Sequence, residues 1–112
     1  MMNLHDVKRL KVLGKDYEVV WYGEHPVPAE DLLLHGKCDW GAGKIYIREC
    51  LDADRSFDTM IHEVIHAIKA EMDIILEERD IVGLASGLQC FFKDNFYLEL
   101  RERVKNEPVE RV

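Results

Sequence analysis

The 112-residue sequence has no long hydrophobic run and no cluster of positive charge, and both absences narrow its possible functions. No stretch approaches the roughly 18 consecutive apolar residues that a membrane-spanning helix needs. Lys and Arg number 15 against 22 Asp and Glu, which gives a formal net charge of −7, and the basic residues form no stripe. Neither a nucleic acid nor an anionic membrane is therefore expected as the main partner.

Cysteine and proline are also scarce, with three residues of each. An odd number of cysteines without framework spacing argues against a disulfide scaffold and favours reduced thiols. The first six residues lack the apolar run of a signal peptide, so we expect a cytoplasmic protein. Apolar residues make up 47% and charged residues 33% of the chain, the balance of a globular domain. At this length we expect a single domain over residues 1–112.

The amino-terminal part of the chain has the composition and alternation of β-strands. Runs of β-branched and aromatic residues at 7–13 and 17–22 flank a short glycine-containing turn and predict a hairpin. A second hairpin is predicted to start at Cys38, and its last strand, 44–47, alternates between two faces. Residues 1–47 are therefore expected to form strands and loops.

From residue 56 the period of the apolar residues changes from two to about 3.6, which predicts helices. Ser56 is the predicted N-cap of the first helix, and a second helix is expected to begin near Glu77 or Glu78 and to bury Cys90. A further helical stretch, either separate from the second helix or continuous with it, is predicted over 96–104. Residues 56–104 then form a helical part that ends in a tail at 105–112. The predicted fold class is α+β, a small antiparallel sheet followed by two or three packed helices.

The first predicted helix contains His62-Glu63-Val64-Ile65-His66, the pattern H-E-x-x-H. Residues four apart share a helix face, so both imidazoles can reach one metal ion. Zinc held by two histidines and a third ligand keeps an open position for water and lowers the pKa of that water towards about 7. Glu63 lies one position round the helix and is the predicted general base. The simpler alternative is a surface stripe that binds no metal.

A zinc site on this motif needs a third protein ligand. Eight acidic, histidine and cysteine side chains are candidates: Asp73, Glu77, Glu78, Asp80, His25, His35, Cys38 and Cys50. Glu78 is favoured because apolar or small residues follow it at +3, +6 and +7, which places it on or beside the face that packs against the first helix. Glu77 shares that face through apolar residues at +4 and +7, so spacing leaves both open. The ordinary role of either is to compensate the helix dipole.

The two segments H-E-x-x-H at 62–66 and E-x-x-I-x-x-L-A at 78–85 together resemble the gluzincin arrangement of a motif helix followed by a ligand glutamate. The resemblance is closest to the compact ImmA/IrrE-like metallopeptidases of phages and mobile elements, and the SprT-like metalloproteases are more distant. The later segment of that family reads Glu-x-x-Ala-x-x-Phe-Ala, so Glu78 aligns with its metal ligand. Three positions depart from the family pattern: Ile65, Ile81 and Leu84.

The resemblance implies a minimal zincin-like domain that binds one zinc ion through His62, His66 and Glu78. It also implies that Glu63 is the catalytic residue and that a protein or peptide substrate lies antiparallel along an edge strand of the sheet. Lys44–Ile47 is the strand expected to take this role, because it directly precedes the motif helix. The expected activity is hydrolysis of a peptide bond by a zinc metallopeptidase.

A binding module is the alternative from another functional class. In that case zinc has a structural role, and the chain acts by contacting a partner in a phage or mobile element. Cys38 is considered as an inhibitory thiolate on zinc, although a plain reduced cysteine is favoured. Three side chains are candidates to stabilise an oxyanion, each with packing as its more ordinary role: Tyr46, Tyr97 and His35.

Overall fold

The structure is a computed structural model that describes residues 4–23 and 35–97. Four strands come first in the chain: β1 (Arg9–Val12), β2 (Lys15–Tyr22), β3 (Gly36–Asp39) and β4 (Lys44–Arg48). Two helices follow: α1 (Ala53–Met72) and α2 (Glu78–Phe92). A 3-10 turn precedes β1 at Leu4–Asp6, and a π-helical turn continues α2 at Lys93–Tyr97. The predicted α+β fold class is confirmed.

The sheet is mixed, which corrects one detail of the predicted antiparallel sheet. Both predicted hairpins are present, since β1 pairs with β2 and β3 pairs with β4 in antiparallel fashion. The strand order is β1-β2-β4-β3, however, and β2 runs parallel to β4. These two strands carry the fully buried residues of the sheet, so they occupy its centre, where parallel pairing is normally found. A hairpin turn fixes direction within its own pair and says nothing about how two hairpins join.

Helix α1 begins one turn earlier than predicted, because Asp52 and not Ser56 is its N-cap. The Oδ1 atom of Asp52 accepts a hydrogen bond from the backbone amide of Arg55 at 2.8 Å and so satisfies one of the free amides of the first turn. Ser56 is buried inside the helix. The helix ends where Asp73 adopts the left-handed conformation, with φ of 54°. Helix α2 begins at Glu78, one of the two starts that the sequence predicted.

Two buried clusters lie on different sides of α1. The first lies between α1 and the sheet: Val12, Tyr17, Val19, Ile45, Ile47, Met60 and Ala67. The second lies between α1 and α2: Ile61, Ile65, Ile81 and Ala85. The helix therefore has one face on the sheet and another on α2, and the strip between these two faces borders both layers.

Only one face of helix α2 is buried. Ile81 and Ala85 are buried against α1, whereas Leu84 and Phe91 are about half exposed. Cys90, predicted to lie in the core, is exposed. Within the described residues, α2 packs chiefly against α1 and against the π-helical turn that continues it. Within those residues no helix is long and apolar enough to cross a membrane.

Some predictions fall outside the described residues. The predicted helix over 96–104 overlaps the described chain only at its start, where residues 96 and 97 belong to the π-helical turn. The tail at 105–112 and His25 lie outside it, as does the side chain of Tyr97.

Candidate metal site

The two histidines of the motif lie on the strip of α1 between its sheet face and its α2 face. Met60 and Glu63 are buried on the sheet side, while Ile61 and Ile65 are buried on the α2 side. Because His62 and His66 fall between these two sets, their side chains are partly exposed, at 21% and 32%. The two rings lie side by side, with centroids 5.0 Å apart. The helical spacing therefore brings both imidazoles to one place at the edge of the core.

The carboxylate of Glu78 joins the two histidines. The Nε2 atom of His62 donates to Oε2 of Glu78 at 3.0 Å, and the Nε2 atom of His66 donates to Oε1 at 3.0 Å. Each carboxylate oxygen thus meets one imidazole, and the Glu78 side chain remains 58% exposed. Of the two glutamates that spacing left open, Glu78 is the one that meets the histidine pair.

The local structure at the start of α2 explains this selection. Glu77 is the N-cap residue, and its backbone amide donates to Oδ2 of Asp80 at 3.0 Å. Glu77 and Asp80 thereby cap the first turn of α2, whose backbone amides need such partners. Glu78 is the first residue of the helix, directly after the short connection from α1. Ile81 and Ile65 belong to one buried cluster between α2 and α1. This packing places the side chain of Glu78 beside His62 and His66.

These three residues have the composition and spacing of a metal site. The ligand atoms of His62, His66 and Glu78 all lie within 4.8 Å of one another. Ligand atoms stand about 2.0–2.2 Å from a bound zinc ion, so small side-chain rotations suffice for all three to reach one ion. Two imidazoles and one carboxylate also leave a coordination position open in a tetrahedral site. The residues present therefore fit a divalent metal ion.

Glu63 lies beside this site, under the edge strand of the sheet. Glu63 is buried, with 6% of the residue exposed. Burial, with a further contribution from the negative charge of Glu78, raises the pKa of the Glu63 carboxyl to about 8. A desolvated carboxylate with a raised pKa is suited to take up a proton.

The remaining candidates for the third ligand have other surroundings. Asp73 ends α1, and His35 is exposed, with its backbone carbonyl accepting from the amide of Arg48 at 2.8 Å. Cys50 is exposed. Burial, together with the charge of Glu63, raises the pKa of the Cys38 thiol to about 11, so it is protonated at neutral pH. These residues do not join the histidine pair.

The structure corrects the expected role of Lys44–Ile47. This segment forms most of β4, which pairs with β2 on one side and with β3 on the other. An interior strand has no free hydrogen-bonding edge for a peptide. Among residues 4–23 and 35–97 the edge strand on this side is β3, which packs against α1, and sequence analysis did not assign it any role.

Gly36 of β3 is a site residue that sequence analysis missed. A Cβ atom at this position would lie 2.6 Å from Cγ2 of Thr59, 2.9 Å from the carbonyl oxygen of Tyr46 and 3.2 Å from Oε2 of Glu63. The absence of a side chain therefore allows β3 to lie directly on the motif helix. The only signal in the sequence is the glycine itself, next to a predicted strand.

Comparisons with protein-family models, with curated proteins and with solved structures found no match to this chain. The geometry of the site is accordingly the basis for the function proposed below.

Proposed function

We propose that this protein is a zinc-dependent metallopeptidase of the gluzincin type, similar to the ImmA/IrrE-like enzymes. The observation that carries the proposal is the convergence of His62, His66 and Glu78, with both 3.0 Å contacts made by one carboxylate. The three residues come from two helices and meet beside Glu63, in the order and spacing of the family pattern. A metal-free surface stripe of His and Glu side chains on α1 would not explain why Glu78 of α2 contacts both histidines.

In this proposal His62, His66 and Glu78 would hold the zinc ion, with the two Nε2 atoms and the carboxylate that now contact one another as its ligands. Zinc at this position supplies a Lewis acid, which polarises the scissile carbonyl and lowers the pKa of a water molecule towards about 7. Glu63 accepts a proton from the attacking water and donates it to the leaving amine. The burial of Glu63 keeps this carboxylate away from bulk solvent while it holds the proton.

Strand β3 is the part of the sheet suited to hold an extended peptide beside Glu63. The amide of Arg48 donates to the carbonyl of His35 at 2.8 Å. Hydrogen-bonded pairs alternate along an antiparallel ladder, so the backbone groups of Gly36 and Cys38 are directed away from β4. A peptide added along this edge would form main-chain hydrogen bonds with them. Because Gly36 also borders Glu63, such a peptide would pass close to the general base.

A peptide library incubated with the zinc-loaded protein, with products identified by mass spectrometry, tests the proposal. We expect cleavage that a chelator abolishes and zinc restores. Glu63→Gln should retain zinc and cleave at least about 100-fold more slowly, the usual contribution of a general base. Glu77→Gln is the matched control, since it removes the same charge from a capping residue. Equal cleavage by wild type and Glu63→Gln would contradict the assigned role.

A non-catalytic zinc-binding interaction module is the second candidate. The exposed apolar side chains of α2 favour it, because Leu84 and Phe91 stand 48% and 51% exposed on the same helix that provides Glu78. A metal would then fix α2 against α1 and hold this surface in place for a partner. This candidate would be supported over the peptidase if wild type and Glu63→Gln both bound zinc and neither cleaved any library peptide.

A further inference from the structure

Asp58 lies on the histidine strip of α1, one helical turn before His62. Residues 58, 62 and 66 succeed each other at intervals of four and therefore share one face of the helix. Asp58 is half-buried, and its Oδ1 atom is shielded from solvent without a hydrogen-bond partner in the described parts of the chain. Buried carboxylate oxygens are nearly always hydrogen-bonded, so this one needs an explanation.

The ring of His62 has one nitrogen left to donate once its other nitrogen binds a metal. Its Nε2 atom is directed at Glu78, so Nδ1 is the remaining nitrogen. The side chains of helical residues lean towards the helix N-terminus, and residues four apart have Cβ atoms about 5–6 Å apart. Asp58 and His62 are therefore neighbours on one face of α1. Asp58 itself is not part of the ligand group formed by His62, His66 and Glu78.

We infer that Asp58 is a positioning residue that accepts a hydrogen bond from Nδ1–H of His62 when the metal is bound. The inference rests on the metal site of the proposed function. Histidines that bind a metal through one nitrogen usually donate the other N–H to a carboxylate or carbonyl. This second bond fixes the tautomer and the ring orientation, and it makes the metal-binding nitrogen more basic. The shielded oxygen of Asp58 supplies such an acceptor within α1 itself.

Metal-free and metal-bound protein should respond to the loss of Asp58 in opposite directions. Without a metal, the shielded oxygen costs stability because its desolvation is not repaid by a hydrogen bond. With a metal, the same oxygen contributes to affinity through His62. A residue with a merely structural role would change stability and leave the affinity per folded molecule unaltered.

The test is a zinc titration in competition with a chromophoric chelator, applied to wild type, Asp58→Ala and Asp58→Asn. We expect Asp58→Ala to bind zinc about 10–100-fold more weakly. Asp58→Asn keeps an acceptor oxygen without the charge and should fall between the two. Asp54→Asn is the matched control, since Asp54 lies on the same helix and pairs with Lys93 at 3.2 Å, away from the histidines. It should bind as wild type does.

Two further measurements make the outcomes separable. Thermal unfolding in chelator should show that Asp58→Ala is at least as stable as wild type. In 15N spectra of the zinc-loaded protein, the Nδ1–H of His62 should exchange slowly in wild type and faster in Asp58→Ala. Wild-type affinity in Asp58→Ala would overturn the role of Asp58 and leave the metal site standing. Absence of zinc binding by wild type would overturn both.

Discussion

The Oε2 atom of Glu63 lies 3.2 Å from the point where a Cβ atom would stand on Gly36. The general base proposed here and the edge strand are therefore in direct contact, and the absence of a side chain at position 36 makes this contact possible. A Cβ atom would also press on the backbone carbonyl of Tyr46 at 2.9 Å, which cannot rotate away as a flexible side chain could. The position of Glu63 thus depends on the backbone of β3.

Gly36→Ala is expected to destabilise the protein by about 1–3 kcal/mol, the usual cost of forcing an extra methyl group into packed surroundings. Because the new methyl group would displace either β3 or Glu63, peptide cleavage should fall as well. Chemical denaturation and the peptide assay measure the two effects. Gly83→Ala is the matched control, because a Cβ atom there meets nothing within 4 Å, and alanine in a helix should stabilise by up to about 1 kcal/mol. A harmless Gly36→Ala would show that β3 can move off α1.

Substitution of the three proposed ligands should remove the metal. We expect about one zinc per chain in wild type by elemental analysis. Zinc should be lost or strongly reduced in His62→Ala, His66→Ala and Glu78→Ala, because two ligands seldom hold zinc in competition with a chelator. Glu77→Gln should keep its zinc, since the Glu77 amide is used in capping α2. Zinc lost from Glu77→Gln and kept by Glu78→Ala would reverse the assignment.

Glu63→Gln should make the metal-free protein more stable at pH 8. The pKa of Glu63 is raised to about 8 from 4.5 by burial and by the charge of Glu78. Between these two pH values the folded state binds more protons than the unfolded state, so the free energy of unfolding falls as the pH rises. Glutamine does not titrate, so the variant lacks this fall in the free energy of unfolding, which amounts to a few kcal/mol. Thermal unfolding in chelator at pH 5 and pH 8 should show a difference between wild type and variant that grows with pH. A difference that is equal at both would contradict the raised pKa.

The helical part of the site was accessible from the sequence, for local reasons. His62 and His66 are related by helical spacing within α1, which requires no knowledge of the rest of the chain. Glu78 could be narrowed to one of two residues because it begins a helix after a short connection. The resemblance pointed to Glu78, and the capping contacts of the first turn, in which the backbone amide of Glu77 takes part, give the physical reason. Spacing cannot distinguish a capping residue from its neighbour.

The part of the site formed by the sheet was not accessible, because it depends on long-range pairing. Alternation identified the strands and their faces, but the order β1-β2-β4-β3 follows from which strands carry most buried surface. In the part of the chain that the structure describes, that order moves β4 to the interior and makes β3 the edge beside Glu63. The exposure of Leu84 and Phe91 has a related cause. Helix α2 is apolar on several faces, and the neighbouring helix α1 covers one of them.

A carboxylate at the far end of α1 connects the helix to the two hairpins. The Oε2 atom of Glu71 accepts hydrogen bonds from the hydroxyl of Tyr17 at 2.9 Å and from Nε1 of Trp40 at 3.0 Å. The ammonium group of Lys15 lies 3.4 Å away. The hydrogen bond from Tyr17 makes the largest contribution to lowering the pKa of Glu71, and Lys15 and Trp40 add to it. The ionised form is therefore favoured by folding.

Glu71→Gln is expected to lower stability at neutral pH and to weaken its dependence on acid. A carboxyl whose pKa is lowered in the folded state contributes stability above its unfolded pKa of 4.5. That contribution is lost as the pH falls through the folded pKa. Urea unfolding at pH 7 and pH 3 should show a smaller difference between the two pH values in the variant. Asp16→Asn removes the same charge from an exposed pair with Lys11 at 3.6 Å and should change little. If Glu71→Gln kept the acid dependence of wild type, the contacts of Glu71 would not favour its ionised form.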